Sequence, residues 1–239
     1  MKDENIQNIA DAIKNQKNIV FFTGAGISIF SGISPYRGKN GIWNKDLAKL
    51  NNLPRKEIFE YLKEKIKEME KYSPNSTHYI ISQLQEINPN ITIITQNIDR
   101  LHSKALNKNI IELHGSAETS RCDACNTPLN GDIETCPECG GFVRPDVVWF
   151  GESLNQETVM KAVESVKNAD MFISMGTSAQ VYPAANLIGY AIDRNIPVYE
   201  VNPEKTDFTE YVTYHFKGES SYVMNDILKN LKNVNNFSE

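Results

Sequence analysis

The chain has 239 residues and a formal net charge of −5, and 40% of its residues are hydrophobic. This composition is typical of a soluble globular protein with room for one large domain and a small module, and its acidic balance argues against a duplex nucleic-acid partner. The polar, acidic N-terminus and the lack of any apolar run near ~20 residues argue against a signal peptide and a membrane span, so we expect a cytoplasmic protein.

Helical and β-strand patterns alternate along the chain. Their periodicity predicts, in order, a helix at 4–16, a strand at 18–22, helices at 54–70 and 74–85, strands at 91–95 and 109–113, an extended segment at 147–150, a helix at 155–168, a strand at 171–175, a helix at 182–194, strands at 197–201 and near 213–216, and a helix at 221–232. This order predicts an α/β fold with a mainly parallel, doubly wound sheet.

Two segments interrupt the alternation. Residues 36–70 begin polar and loop-rich, and residues 116–145 contain every cysteine of the chain. We interpret them as insertions that pack together as a small helical and zinc-ribbon module. The sheet domain then comprises residues 1–35, 71–115 and 146–239.

The first predicted strand runs directly into Thr23-Gly24-Ala25-Gly26. A glycine turn between a strand and a helix lets backbone N–H groups approach a pyrophosphate. The dinucleotide-binding fingerprint is incomplete, because Ile29 stands where its third glycine would fall. The turn therefore favours phosphate binding but argues against a standard dehydrogenase, and a plain tight βα turn remains the alternative.

The strand at 91–95 ends abruptly in Gln96, Asn97 and Asp99. Ligands of open α/β sheets bind just beyond the carboxyl ends of the strands. Two amides and a carboxylate at that position can make directional hydrogen bonds, so we predict that they bind a polar ligand. An Asx turn with a helix cap is the alternative.

The cysteines form two pairs, Cys122-x-x-Cys125 and Cys136-x-x-Cys139. Four thiolates in two tight pairs suit one tetrahedral structural zinc ion. Because these ligands fill all four positions, we expect no catalytic role for the zinc. Free thiols, disulfides and an iron–sulfur cluster are the alternatives.

Several strings resemble, in the same order, those of the sirtuins, the NAD-dependent protein lysine deacylases. They are GAGIS at 24–28, SGISPYR at 31–37, TQNIDRLH at 95–102, LHG at 113–115, the cysteine pairs, RPDVVWFGE at 144–152, GTS at 176–178 and VN at 201–202. The ordered set is specific, although no single string is decisive. The resemblance implies a Rossmann-like domain and a small zinc domain, with NAD and an acyl-lysine peptide meeting between them, and many relatives are monomers.

Carried over residue by residue, the resemblance implies an NAD site formed by Gly24, Ala25, Gly26, Ser28, Pro35, Tyr36, Arg37, Gln96, Asn97, Asp99, Gly176, Thr177, Ser178 and Asn202. Asn97 and Asp99 would hold the nicotinamide end, and His114 would be the general base, a task that suits the near-neutral pKa of histidine. A final segment, Val148, Trp149, Phe150 and Gly151, would pair with the substrate backbone.

The implied reaction transfers the acyl group of a modified lysine to ADP-ribose and releases nicotinamide. An NAD-dependent mono-ADP-ribosyltransferase or an NAD glycohydrolase is the alternative, because both share the geometry for nicotinamide loss and differ in the acceptor. The presence of His114 and of the segment 147–151 favours deacylation.

The VWFGE and VYPAA strings are most similar to the bacterial and mitochondrial branch that removes acidic acyl groups. That branch carries a Tyr-x-x-Arg pair on the helix of the first insertion. Tyr61 is the candidate tyrosine, with plain helix packing as its alternative, but Glu64 stands where the arginine would be. Without a guanidinium for the acyl carboxylate, we predict a preference for neutral acyl groups over succinyl or malonyl.

Overall fold

The computed structural model describes residues 4–34, 53–130 and 133–235. The elements in chain order are α1 (Glu4–Lys14), β1 (Ile19–Thr23), a 3-10 helix (Ala25–Ser31), α2 (Arg55–Met69), α3 (Ser76–Ile87), β2 (Ile91–Thr95), α4 (Leu101–Lys104), β3 (Ile110–Glu112), β4 (Gly115–Cys122), β5 (Pro128–Leu129), β6 (Val143–Val147), α5 (Gln156–Lys167), β7 (Met171–Met175), α6 (Asn186–Asp193), β8 (Val198–Asn202), β9 (Tyr214–Lys217) and α7 (Ser220–Asn235). Among the described helices, none has the length and apolar character of a membrane span.

The predicted doubly wound sheet is confirmed. Six strands pair in parallel in the order β3-β2-β1-β7-β8-β9. Because β1 pairs with β2 on one side and with β7 on the other, the strand order reverses between β1 and β7. Ligands of such sheets bind at this switch point, outside the carboxyl ends of the strands.

Helices cover both faces of the sheet. On one face α1, α3 and α7 pack on a core to which α1 contributes Ile6, Ile9 and Ile13 at helical spacing. On the other face α5 and α6 pack on a second core through Val166, Leu187 and others. Burial of both faces explains why β1 and β7 read as continuous apolar runs rather than as alternating patterns.

A second, antiparallel sheet of order β5-β4-β6 lies in the cysteine-containing part of the chain. Helix α2 packs beside it, where Phe59 and Leu62 join Val147 and Trp149 in one apolar cluster. The two segments interpreted as insertions therefore supply neighbouring elements. The sheet itself spans Gly115 to Val147 and so extends slightly past the predicted limits at both ends.

Three predicted boundaries are wrong. The extended segment at 147–150 is a strand only up to Val147. Helix α6 begins at Asn186 rather than at residue 182 and is preceded by turns at 182–185, since Pro183 disfavours helical backbone at the residue before it. Helix α3 begins at Ser76 rather than at residue 74, because Asn75 caps it: the Asn75 side chain accepts a bond from the N–H of Thr77 (3.0 Å), and His78 Nδ1 accepts one from the N–H of Asn75.

Candidate active site

A cleft of about 610 Å³ opens at the switch point of the parallel sheet. This volume lies within the usual range for small-molecule sites. Most of the residues that the sequence assigned to NAD, catalysis or the substrate line it: Gly24, Ala25, Gly26, Gln96, Asn97, His114, Val148, Trp149, Phe150, Gly151, Gly176, Thr177, Ser178 and Asn202. The structure thus brings together residues that are far apart in the sequence.

Glycines let two backbone loops touch at the floor of the cleft. The N–H of Gly26 donates to the carbonyl oxygen of Gly176 at 2.7 Å. A Cβ on Gly26 would lie 2.6 Å from the Cα of Gly176, and Gly176 has a φ of +61°. These glycines are therefore required by the close packing of the two loops.

The Asn-x-Asp turn after β2 is fixed behind this floor. Asn97 donates to the carbonyl oxygen of Gly24 at 3.1 Å, and the hydroxyl of Ser28 donates to Asp99 at 2.6 Å. Asp99 also accepts from the N–H of Leu101, which orients the start of α4. Asn97 lines the cleft, as ligand binding would require, whereas Asp99 forms the Asx-turn contact of the alternative interpretation.

Side-chain amides join the ends of strands β2, β7 and β8. Gln96 donates to the hydroxyl of Thr177 at 2.9 Å, and Asn202 donates to the carbonyl oxygen of Thr177 at 2.7 Å. These bonds link the loops after β2, β7 and β8. They give the cleft a polar, preorganised wall with little freedom left to lose on ligand binding.

His114 occupies the cleft in a defined tautomer. Its Nδ1 lies 2.8 Å from the carbonyl oxygen of Gln96, so Nδ1 carries the proton and Nε2 keeps its lone pair. Burial lowers the pKa of His114 below its usual value, although the bond to Gln96 opposes the shift. The imidazole is therefore neutral at pH 7 and able to accept a proton.

The other histidines have structural contacts. His102 is buried between the hydroxyl of Thr23 (3.0 Å) and the side-chain oxygen of Asn107 (2.6 Å). His78 caps helix α3, and the Nε2 of His215 donates to the carbonyl oxygen of Asn202 at 2.9 Å. None of these three lines the cleft.

Some predicted site residues lie elsewhere. Ser28 and Asp99 are buried behind the floor, where the hydroxyl of Ser28 accepts from the side-chain amide of Asn97 at 3.4 Å. Tyr61 does not line the cleft and packs at the edge of the apolar cluster on α2. Pro35, Tyr36 and Arg37 fall outside the described residues.

The cleft also contains residues to which the sequence assigned no role. Residues 203–207 and 218–220 line it because they follow the carboxyl ends of β8 and β9. The strand-end rule that singled out Gln96 could have found them. Leu62 and Glu152 line it too, but each depends on a packing contact that the sequence does not reveal.

The segment Val148–Gly151 forms one rim of the cleft. It begins where the N–H of Val148 donates to the carbonyl oxygen of His114 at 2.9 Å. Behind it lies the apolar cluster of Leu62, Ile98 and Trp149. An extended ligand at this rim would therefore have an apolar wall on one side and His114 close to one end.

The four cysteines converge at the end of the second sheet. Their sulfur atoms lie within 4.8 Å of one another, with Cys122–Cys139 and Cys125–Cys136 at 3.4 and 3.7 Å. Tetrahedral zinc with Zn–S bonds of about 2.3 Å needs S–S separations of ~3.8 Å. Disulfides would need about 2.05 Å, and the thiols are free. A Cβ on Gly141 would lie 2.9 Å from the Cys122 sulfur, so the turn is shaped around the thiolates.

Comparison with known proteins gives concordant matches. A family model described as the Sir2 family matches residues 24–183. An NAD-dependent protein deacylase of Aquifex aeolicus is 43% identical over 217 residues, covering 85% of this chain and 91% of the relative. A deacylase of Pyrococcus abyssi is 35% identical over 247 residues, with 96% and 99% covered.

Solved structures agree with these relatives. A Sir2 homologue in complex with ADP-ribose has a TM-score of 0.88 and 30% identity, and the match covers 100% of both chains. A Sir2 structure with a p53 peptide and NAD+ has a TM-score of 0.78 and 30% identity, with 94% and 97% covered.

Proposed function

This chain belongs to the Sir2 family and is an NAD-dependent protein deacylase, and we propose that the cleft at the switch point of its sheet is the active site. The observation that carries the proposal is the tautomer of His114, whose bond to Gln96 leaves Nε2 as a proton acceptor in the cleft. Deacylation needs such a base to activate a ribose hydroxyl.

NAD supplies the ribose that accepts the acyl group and the nicotinamide that leaves. The glycine turn at Gly24 and Gly26 suits the pyrophosphate, because it lines the cleft and joins a strand to the start of a helix. Asn97 and Gln96 then present amides beside His114. With this order the nicotinamide end would lie nearest the base, and the remaining half of NAD would extend toward residues 203–207.

The acyl-lysine peptide would pair with Val148–Gly151 as an added strand. Its lysine would enter the cleft between this rim and His114. Main-chain pairing tolerates many side chains, so the acyl group and the local surface would determine much of the specificity.

Leu62 supports a preference for neutral acyl groups. It lines the cleft beside Val147 and Trp149, whereas Glu64 is exposed and does not line it. Among the residues that the structure describes, this apolar wall has no guanidinium, so it desolvates a succinyl or malonyl carboxylate without pairing it.

The proposal is tested by incubating acetyl-, succinyl- and myristoyl-lysine peptides with NAD and following products by mass spectrometry. Free lysine peptide and O-acyl-ADP-ribose from the neutral peptides, lost in His114→Ala, are the expected result. NAD consumption without deacylation would instead favour ADP-ribosyl transfer or NAD hydrolysis. Efficient succinyl turnover with poor acetyl turnover would refute the acyl preference.

We also propose that the protein is a cytoplasmic monomer that binds no nucleic acid. Four free thiols arranged for zinc suit a reducing compartment. The net charge of −5 disfavours a polyphosphate partner. Size-exclusion chromatography with light scattering tests the oligomeric state directly.

A further inference from the structure

Glu152 connects several elements at the rim of the cleft. Both oxygens of its carboxylate accept from Nη2 of Arg144, at 2.9 and 3.0 Å, and one also accepts from the N–H of Trp149 at 2.9 Å. Arg55 of helix α2 and Arg121 of β4 bond the same carboxylate. A side chain just after the rim segment is thus tied to α2, β4 and β6.

Arg144 holds both ends of that segment. It is among the largest fully buried side chains, with 2% of its surface exposed. Its Nη1 donates to the carbonyl oxygen of Val147 at 3.0 Å, just before the segment, while its Nη2 binds Glu152, just after it. Residues 148–151 therefore span two points fixed by one guanidinium.

The guanidinium is itself held in place. Asp123, next to the cysteine ligand Cys122, lies 2.9 Å from Nε of Arg144, and the ring of Phe59 lies 4.3 Å beneath the guanidinium. The planar guanidinium of arginine can make these contacts simultaneously, whereas the ammonium of lysine cannot. Buried charges of both signs are compensated here by pairing rather than by solvent.

We propose that Arg144 and Glu152 are positioning residues that preform residues 148–151 for the substrate backbone, an inference that rests on the proposed function. A segment that is already fixed loses less conformational freedom on binding, so its disruption weakens peptide binding. NAD meets the glycine floor and the loops after β2, β7 and β8, which the pair does not touch. The effect therefore falls on the KM for peptide and leaves NAD affinity in place.

The test uses Glu152→Gln and Arg144→Lys in the full-length, zinc-loaded protein. Glu152→Gln keeps an acceptor for the N–H of Trp149 and removes the carboxylate charge. Arg144→Lys keeps the positive charge and removes the simultaneous bonds to Val147 and Glu152. We expect the peptide KM to rise about tenfold and the Kd for NAD to stay within about twofold. Amide hydrogen exchange should accelerate at 149–151 and stay unchanged in β1 and β7.

Controls separate the possible outcomes. Glu157→Gln removes an exposed carboxylate paired with Lys161 and should change neither KM nor exchange. If Glu152→Gln loses zinc or NAD binding, Glu152→Asp, which retains the charge, replaces it. Glu152→Asp should show a smaller rise in the peptide KM and a smaller acceleration of exchange at 149–151. Folded variants with unchanged peptide KM and unchanged exchange would overturn the inference, as would a fall in kcat alone. Wild-type protein that turns over no peptide would refute the proposed function as well.

Discussion

The Nδ1 atom of His114 lies 2.8 Å from the backbone carbonyl oxygen of Gln96. A carbonyl only accepts hydrogen bonds, so this contact fixes the proton on Nδ1 and leaves Nε2 free to act as a base. The side-chain amide of Gln96 also donates to the hydroxyl of Thr177, in the loop after β7. The same residue therefore orients the base and fastens the cleft wall beside it.

The pH dependence of catalysis follows from this environment. Burial lowers the pKa of His114 below 6.5, and the bond to Gln96 offsets part of that shift. Since the neutral form is the active base, kcat/KM for an acetyl-lysine peptide should be flat above about pH 6.5 and fall only at more acidic pH. An inflection above about 6.5 would contradict this assignment. Circular dichroism at each pH would confirm that the protein remains folded.

The contact between Gly26 and Gly176 predicts an intolerance to side chains. Gly26→Ala would put a Cβ 2.6 Å from backbone Cα, and overpacking against backbone should cost about 2 kcal/mol or more. We expect a lower unfolding midpoint in urea and loss of the thermal shift with NAD.

Gly189→Ala is the matched control for that variant. Gly189 lies inside helix α6, and its Cβ would be 3.4 Å from Phe208, an ordinary contact. Alanine is favoured over glycine in a helix by about 0.5–1 kcal/mol. The control should therefore be neutral or stabilising and should retain the NAD shift. Equal losses in both variants would argue against the close approach as the cause.

The sequence predicted those features of the fold and the site that depend on local pattern. The strand-end turn at Gln96 and Asn97 and the two cysteine pairs could be predicted, because residue type and position along the chain are enough to identify them. Tyr61 and Leu62, in contrast, differ by about 100° around one helix, and no local pattern says which one faces the cleft. The ion pair of Arg55 with Glu152 depends on the packing of α2 against the second sheet, which pairs charges from distant parts of the chain.

Leu62 should control the size of the acyl group accepted. Leu62→Ala opens space in the apolar wall, so kcat/KM for an octanoyl-lysine peptide should rise relative to that for acetyl-lysine, by about tenfold. Ile58→Ala is the control, because Ile58 lies on the same helix and in the same cluster but does not line the cleft. Both variants should lose about 2–4 kcal/mol of stability. A shift in preference for both, or for neither, would contradict the role of Leu62.

Cys136 should be essential for the metal. Cys136→Ser replaces a buried thiolate by a hydroxyl, so bound zinc, measured by atomic absorption, should fall from one per chain to near zero, and the melting temperature should fall. Thr127→Val removes a hydroxyl 3.1 Å from the Cys125 sulfur without removing a ligand, and it should retain zinc. One zinc per chain in Cys136→Ser would show that the site is assigned wrongly.

Buried histidines should make the protein sensitive to acid. Burial, with a smaller contribution from His102, lowers the pKa of His78 to about 3. Its Nδ1 accepts from the N–H of Asn75, and protonation would remove that acceptor and the cap of α3. Between about pH 6.5 and pH 3 the unfolded chain binds a proton that the folded protein excludes, so stability is complete above this window and is lost as the pH falls through it.

His78→Gln tests that dependence, because glutamine at this helix position can still complete the capping box but does not titrate. Urea unfolding at several pH values from about 7 down to 5 should show a shallower loss of stability in the variant, by up to about 1.4 kcal/mol per pH unit. His102, whose pKa burial also lowers, keeps the slope above zero. Tyr79→Phe, an exposed neighbour on α3, should leave the slope unchanged. An identical slope in wild type and His78→Gln would mean that His78 is not a source of the acid sensitivity.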